Sequence, residues 1–172
     1  MSNIIVATDR LVVRELTIKD SELLYKYSNE EIAKAELPDE VLIDENNAAL
    51  KIMEFINNNK TNKMPMVYAI ELKCCNKLIG HIELSEIDKG IEIGYSIATE
   101  YQNKGYCSEI INPFLKSIKN IIGIIEIYGI AKYANEKSWK ILEKSGFKLL
   151  NEGYYKQYFE GKYRTRIYSI VL

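Results

Sequence analysis

The feature that most limits the fold is a change of period in the middle of the chain. Met66-Val-Tyr-Ala-Ile-Glu-Leu, Lys77-Leu-Ile-Gly-His-Ile-Glu-Leu and Gly90-Ile-Glu-Ile-Gly-Tyr-Ser-Ile are short runs rich in β-branched and aromatic residues. Turn signals, Cys-Asn-Lys and Ile-Asp-Lys-Gly, separate them, so they read as an antiparallel meander. On the N-terminal side, Arg10 to Leu16 suggests a strand, and a helical stripe of Leu23, Leu24 and Tyr27 begins at Thr17 or Asp20. A second helix is expected over Glu45 to Ile56, with Ala49, Ile52, Met53 and Ile56 at core spacing. Beyond the meander come a polar loop, a helix from about Gly105 to Lys119, a strand from Ile124 to Ala131, and a helix from Asn135 to Lys144 closed by Gly146. Two last strands fit Phe147 to Tyr155 and Tyr163 to Val171. Runs of strands mixed with helices in this order make an α+β protein.

At 172 residues, with no internal repeat or Pro/Gly/Ser-rich linker, the chain reads as one domain over 1–172. Its 23 Lys and Arg against 24 Asp and Glu leave no net field to hold a nucleic acid or an anionic membrane. No run approaches the roughly 18 apolar residues that span a bilayer. Three cysteines cannot all pair, which suits a reducing cytoplasm. One histidine, His81, and no spaced Cys pair give no support for a metal site.

The stretch from Ile93 to Glu109 carries the most chemistry. A strand feeds a loop in which Gly105 lets the backbone approach a ligand closely, and the loop opens a helix whose first N–H groups and positive dipole end are unpaired. Such a site wants an anion. Neither the GxxxxGK[ST] nor the GxGxxG pattern is present, which leaves a pyrophosphate carried on another cofactor.

Gln102-Asn103-Lys104-Gly105-Tyr106-Cys107 resembles the Gln/Arg-x-x-Gly-x-Gly/Ala signature of the GNAT superfamily of N-acetyltransferases. Asn135-Glu-Lys-Ser-Trp-Lys-Ile-Leu-Glu-Lys-Ser-Gly-Phe is similar to its second signature, and Thr8-Asp-Arg-Leu-Val-Val-Arg-Glu-Leu and Tyr163-Arg-Thr-Arg-Ile-Tyr-Ser resemble the RimJ/RimL-type branch, which acetylates ribosomal-protein N-termini. The resemblance, over about residues 8 to 170, implies a mostly antiparallel central sheet flanked by helices and splayed to hold acetyl-CoA. It implies that the amides of Gln102, Asn103, Lys104, Gly105, Tyr106, Cys107 and Ser108 bind the pyrophosphate, and that the backbone of Tyr95, Ser96 and Ile97 pairs with the pantetheine. The acceptor would be a primary amine, on a protein N-terminus or a small molecule, attacking directly in a ternary complex; a non-catalytic acyl-CoA sensor is the rival. Monomer and homodimer are both open.

Asn135 reads equally as a cofactor contact and as a helix cap, and Ser138 sits three residues further on. Glu92 lies between Ile91 and Ile93, so strand alternation sets it opposite those apolar neighbours. It is either a solvated strand residue or the general base that many family members keep nearby, with Glu83 and His81 as rivals. Many relatives place a tyrosine proton donor five residues before the Phe of Gly-Phe, where this chain has Leu142. Ser138, four residues earlier on the same helix face, is therefore assigned to the coenzyme A thiolate. Tyr154, Tyr155 and Tyr158 are candidates to line an acceptor groove. Two departures stand out: Cys107 replaces Gly or Ala, and Pro113 is expected to kink or shorten its helix.

Overall fold

The computed structural model describes residues 3–36, 41–156 and 159–172. Its strands are β1 (Ile4–Ala7), β2 (Leu11–Glu15), β3 (Met66–Leu72), β4 (Lys77–Ile87), β5 (Gly90–Ile97), β6 (Glu126–Lys132), β7 (Lys148–Tyr154) and β8 (Arg164–Val171). The helices are α1 (Ser21–Ser28), α2 (Glu31–Glu36), α3 (Glu45–Thr61), α4 (Tyr106–Ile122) and α5 (Glu136–Lys144). One sheet orders the strands β1-β2-β3-β4-β5-β6-β8-β7. Every neighbouring pair is antiparallel except β5 and β6.

The expected meander is β3-β4-β5, with Tyr68 opposite Ile82 and Ile82 opposite Tyr95. Alternation along these strands sends Tyr68, Ile82, Leu84 and Ile93 to one face, where they pack with α4. Val67, Ala69 and Leu78 go to the other, under Leu24 of α1 and Ile52 of α3. The Tyr68 and Phe114 rings meet edge to face at 5.6 Å, fixing α4 on the sheet.

Helix ends follow local chemistry. Asp44 caps α3 by accepting the Asn47 N–H at 2.7 Å, and α3 stops at Asn62, which adopts a left-handed backbone. Pro113 does not shorten its helix: α4 runs through it to Ile122. Five side chains of α4, Ile110, Ile111, Phe114, Leu115 and Ile118, are fully buried. At roughly 1.5–3 kcal/mol each, their burial outweighs the ~3 kcal/mol cost of an interior proline.

Two elements were not foreseen. β1 is a four-residue edge strand, too short for an alternation signal, and α2 buries none of its side chains, so it has no apolar stripe to read. The second arginine of the N-terminal signature is structural. Arg14 gives bonds of 2.9 and 2.8 Å to Asp20 and 2.6 Å to Glu71, tying β2, β3 and the turn into α1 together. Burial alone would raise the Asp20 carboxyl, but hydrogen bonds from Arg14 and Thr17 with the guanidinium charge leave it lowered.

Candidate active site

The sheet parts between β5 and β6. These parallel strands share a single register pair, Glu92 with Tyr128, whereas β4 follows β5 from Gly90 to Ile97. Past Glu92, the β5 edge that faces β6 therefore has no strand partner among the described residues. The β4 side is fixed closely: a Cβ built on Gly80 would lie 2.1 Å from the Ser96 carbonyl oxygen. At the end of β5, the Gln102 side-chain amide donates to the Ile97 carbonyl at 2.9 Å and holds the following loop against the strand.

That loop turns through two left-handed residues, Asn103 at φ 60° and Gly105 at φ 79°. The first bond inside α4 runs from the Glu109 N–H to the Gly105 carbonyl, so the N–H groups of Tyr106, Cys107 and Ser108 precede it and point out of the helix start. The Lys104 ammonium turns back, donating to the Glu100 carbonyl at 3.0 Å, with the Tyr101 ring 5.2 Å away.

A clamp from the other end of the chain holds the loop. Glu109 accepts from Thr8 Oγ1 at 2.5 Å, the Arg10 N–H at 3.1 Å and Arg10 Nε at 2.6 Å. The Arg10 Nη1 reaches the Lys104 carbonyl at 3.0 Å, and the guanidinium lies 4.7 Å from the Tyr106 ring centroid. Burial alone would raise the Glu109 carboxyl, yet the Thr8 and Arg10 bonds and the guanidinium charge outweigh it and lower it. Nothing in the local sequence signals this pairing, since 99 residues separate Arg10 from Glu109.

The two faces of the splay differ. On the α4 and α5 face, the Tyr95 hydroxyl donates to the Ser138 carbonyl at 3.0 Å and lies 3.3 Å from Ser138 Oγ. Asn135 caps α5 by accepting the Ser138 N–H at 3.2 Å, so the cap orients the first turn that presents Ser138. Asn135 also donates to Glu36 at 3.2 Å. Burial pushes the Tyr95 phenol well above its ordinary range and the Cys107 thiol up to about 12. On the opposite face lies a polar row. Ala69 stands opposite His81 and His81 opposite Ser96; Val67 stands opposite Glu83 and Glu83 opposite Gly94; and Ser85 pairs with Glu92. Glu83 lies across Gly94, where an added Cβ would come within 2.8 Å of Glu83 Oε1.

A sheet splayed beside a glycine-started helix is the geometry expected from the resemblance; that the splay falls at a parallel strand pair is shown by the structure. A family model, described as the acetyltransferase (GNAT) domain, matches residues 10–148. The chain belongs to the GNAT acetyltransferases. It is 30% identical to the uncharacterized N-acetyltransferase YoaA of Bacillus subtilis (strain 168), over 97% of this chain and 96% of that protein. In fold it is similar to RimL, a ribosomal L7/L12 α-N-protein acetyltransferase solved in complex with coenzyme A, with a TM-score of 0.83 at 17% identity over 99% and 98% of the two chains. It is also similar to the microcin C7 self-immunity acetyltransferase MccE, solved with acetyl-CoA and AMP, with a TM-score of 0.80 at 22% identity over 96% and 94%.

Within this GNAT frame, the expected residues fall into one region. Tyr95, Ser96 and Ile97 form the split part of β5; Gln102 to Ser108 form the loop and first turn of α4; Ser138 reaches Tyr95; and Glu92 marks the apex where β5 and β6 last pair. Trp139 lies under the Arg166 guanidinium at 4.2 Å, Tyr168 is fully buried, and Tyr154 is largely exposed. Tyr158 lies outside the described residues. Sequence reasoning missed the Thr8–Arg10–Glu109 clamp and the use of the Tyr95 side chain, having given Tyr95 a backbone role alone. No helix among the described residues is long and apolar enough to cross a membrane.

Proposed function

We propose that this protein moves the acetyl group of acetyl-CoA to a primary amine, with a protein or peptide N-terminal α-amine as the preferred acceptor. The observation that carries the reading is the splay itself, with an open strand edge on β5 running straight into a loop whose amides face outward at the start of α4. The residues suit the cofactor. The positive-φ Gly105 gives the loop its turn without a side chain, and the helix start offers N–H donors and a positive dipole end to a pyrophosphate. The β5 edge at Tyr95 to Ile97, which has no strand partner among the described residues and whose Ile97 carbonyl takes the Gln102 amide, offers its remaining backbone groups to the pantetheine amides. Bound acetyl-CoA supplies an activated acetyl thioester.

The chain's own groups would act from the two faces. Glu92, on the polar face, takes the proton of the attacking amine directly or through a water, and Ser138, on the other, donates a hydrogen bond to the departing thiolate. Cys107 is passed over as a nucleophile, since a thiol raised to about 12 holds almost no thiolate at neutral pH. The amine attacks the thioester itself.

The acceptor preference rests on the cost of its proton. Deprotonating an ordinary lysine of pKa ~10.4 at pH 7 costs about 4.6 kcal/mol, against about 1 kcal/mol for an α-amine of ~7.7–8. A single carboxylate base favours the cheaper proton. The fold shared with RimL supports this acceptor, and the fold shared with MccE supports a second reading, acetylation of a small-molecule amine. The three thiols are free, consistent with work in the cytoplasm.

The test is an acetyl-CoA screen against N-terminal peptides, polyamines and other small amines, read by mass spectrometry. N-terminal peptides should show the highest kcat/KM. Higher values for small amines would transfer the assignment to the second reading, and acetyl-CoA binding without release of free coenzyme A for any amine would leave a sensor. Glu92→Gln should lower kcat by roughly 10²–10⁴-fold at neutral pH with acetyl-CoA affinity little changed.

A further inference from the structure

Tyr95 presents a side chain that the reaction as written does not use. Its hydroxyl donates to the Ser138 carbonyl at 3.0 Å and lies 3.3 Å from Ser138 Oγ, across 43 residues of sequence. A phenol has one proton and can also accept. With its proton on the Ser138 carbonyl, its oxygen is open to the proton of the Ser138 hydroxyl. The position at which relatives carry a tyrosine donor is filled by Leu142, which is buried and so close to β6 that a Cβ on Gly129 would come within 2.7 Å of it. No donor can act from there.

We propose that Tyr95 is a positioning residue for Ser138, and that the two hydroxyls form one hydrogen-bonded chain aimed at the coenzyme A sulfur. This rests on the placing of the cofactor proposed above. At rest, Ser138 gives its hydroxyl proton to Tyr95. When a thiolate forms beside it, the Ser138 hydroxyl turns its proton to the sulfur, and the Tyr95 hydroxyl redirects its own hydrogen bond from the Ser138 carbonyl, 3.0 Å away, to the Ser138 Oγ, 3.3 Å away. No covalent bond forms or breaks and the negative charge stays on sulfur. Each bond in such a chain polarises the next, so the serine becomes a stronger donor than it would be alone. The buried phenol, held well above its ordinary range, keeps its proton throughout. Tyr95 therefore shapes the thiolate's surroundings without acting as an acid.

The experiment compares coenzyme A with desulfo-coenzyme A by calorimetry between pH 6.5 and 9.5, for the wild type, Tyr95→Phe, Ser138→Ala and the double variant. In the wild type, the advantage of coenzyme A over desulfo-coenzyme A should grow by about tenfold as pH rises through the ordinary thiol range near ~8.5, because the chain favours the thiolate. Tyr95→Phe and Ser138→Ala should each lose most of that growth. The double variant should lose no more than Ser138→Ala, as expected of two groups acting in series. Desulfo-coenzyme A affinity should be equal in all four proteins, which checks that the fold and the rest of the site are intact. With an accepted amine, Tyr95→Phe should lower kcat several-fold at unchanged KM for acetyl-CoA. A Tyr95→Phe profile matching the wild type, or losses that multiply in the double variant, would overturn the coupling while leaving the cofactor site standing. Absence of desulfo-coenzyme A binding in the wild type would overturn the cofactor site and this inference with it.

Discussion

Replacing Gly80 by Ala tests how tightly the strand proposed to bind the cofactor is held. The added Cβ would lie 2.1 Å from the Ser96 carbonyl oxygen and 3.0 Å from the Ile97 Cα. Both are backbone atoms of β5, so no side chain can swing away. Relief needs β4 and β5 to part by about 1.4 Å, from 2.1 Å to the ~3.5 Å at which non-bonded atoms settle in a packed interior. Overpacking of this kind costs about 1–3 kcal/mol, which for a chain of this length lowers Tm by about 2–12 °C. The displaced segment, Ser96–Ile97, is also the stretch proposed to pair with pantetheine, so acetyl-CoA affinity should fall by about tenfold, about 1.4 kcal/mol. Gly94→Ala on the facing strand is the control. Its Cβ would meet Glu83 Oε1 at 2.8 Å and Cγ at 2.9 Å, side-chain rather than backbone atoms, so its cost should be smaller than that of Gly80→Ala. Denaturant titration and calorimetry give both quantities. If Gly80→Ala unfolds at the wild-type midpoint and binds acetyl-CoA normally, the argument from backbone contact is wrong.

Two more outcomes follow from the charges and thiols around the loop. Glu109 is lowered in the fold, so the unfolded chain binds its proton more readily; the clamp's stabilisation is fully present above the ordinary carboxyl range and fades as pH falls through the lowered value. Glu109→Gln should therefore destabilise at pH 7, with the difference from wild type closing below about pH 4, as read by denaturant titrations across pH; a constant difference would show that the charge is not what holds the loop. Cys107, with its thiol raised to about 12, should resist alkylation at pH 8 in the folded protein while exposed Cys74 and Cys75 react, as peptide mapping would show. Labelling of Cys107 at the rate of the exposed pair would refute its burial.

What the sequence made legible was whatever neighbours in the chain decide. The meander follows from alternation and short turns. The loop proposed to hold the pyrophosphate is readable because Gly105 and the helix start lie side by side in the chain, and the Asn135 cap because it acts three residues away. The rest depends on contacts between distant segments. Glu109 reads as an ordinary first-turn acid until β1 and β2 bring Thr8 and Arg10 beside it. Tyr95 reads as one more strand aromatic until α5 folds back over β5. The insertion of β8 between β6 and β7 likewise has no local signal, because it pairs β8 with β6 across all of α5 and β7 in the sequence.

The joint between β5 and β6 has a consequence for how the molecule breathes. Strands β1 to β5 and strands β6 to β8 are two antiparallel blocks that meet through one register pair. Backbone bonding within each block is dense, while across the joint it is almost absent, so the blocks are held by side chains: the Tyr95–Ser138 and Lys132–Ala35 bonds, and above all the apolar underside contributed by α4, where Phe114 and Ile118 share one cluster with Leu11 and Ile82 of the first block and Ile127 and Tyr168 of the second. Amide exchange should then report two cooperative units rather than one. The helix that staples them is the same helix whose first turn is proposed to hold the cofactor, so occupation of that turn should act on the joint as a whole, slowing the separation of the blocks rather than stiffening a loop.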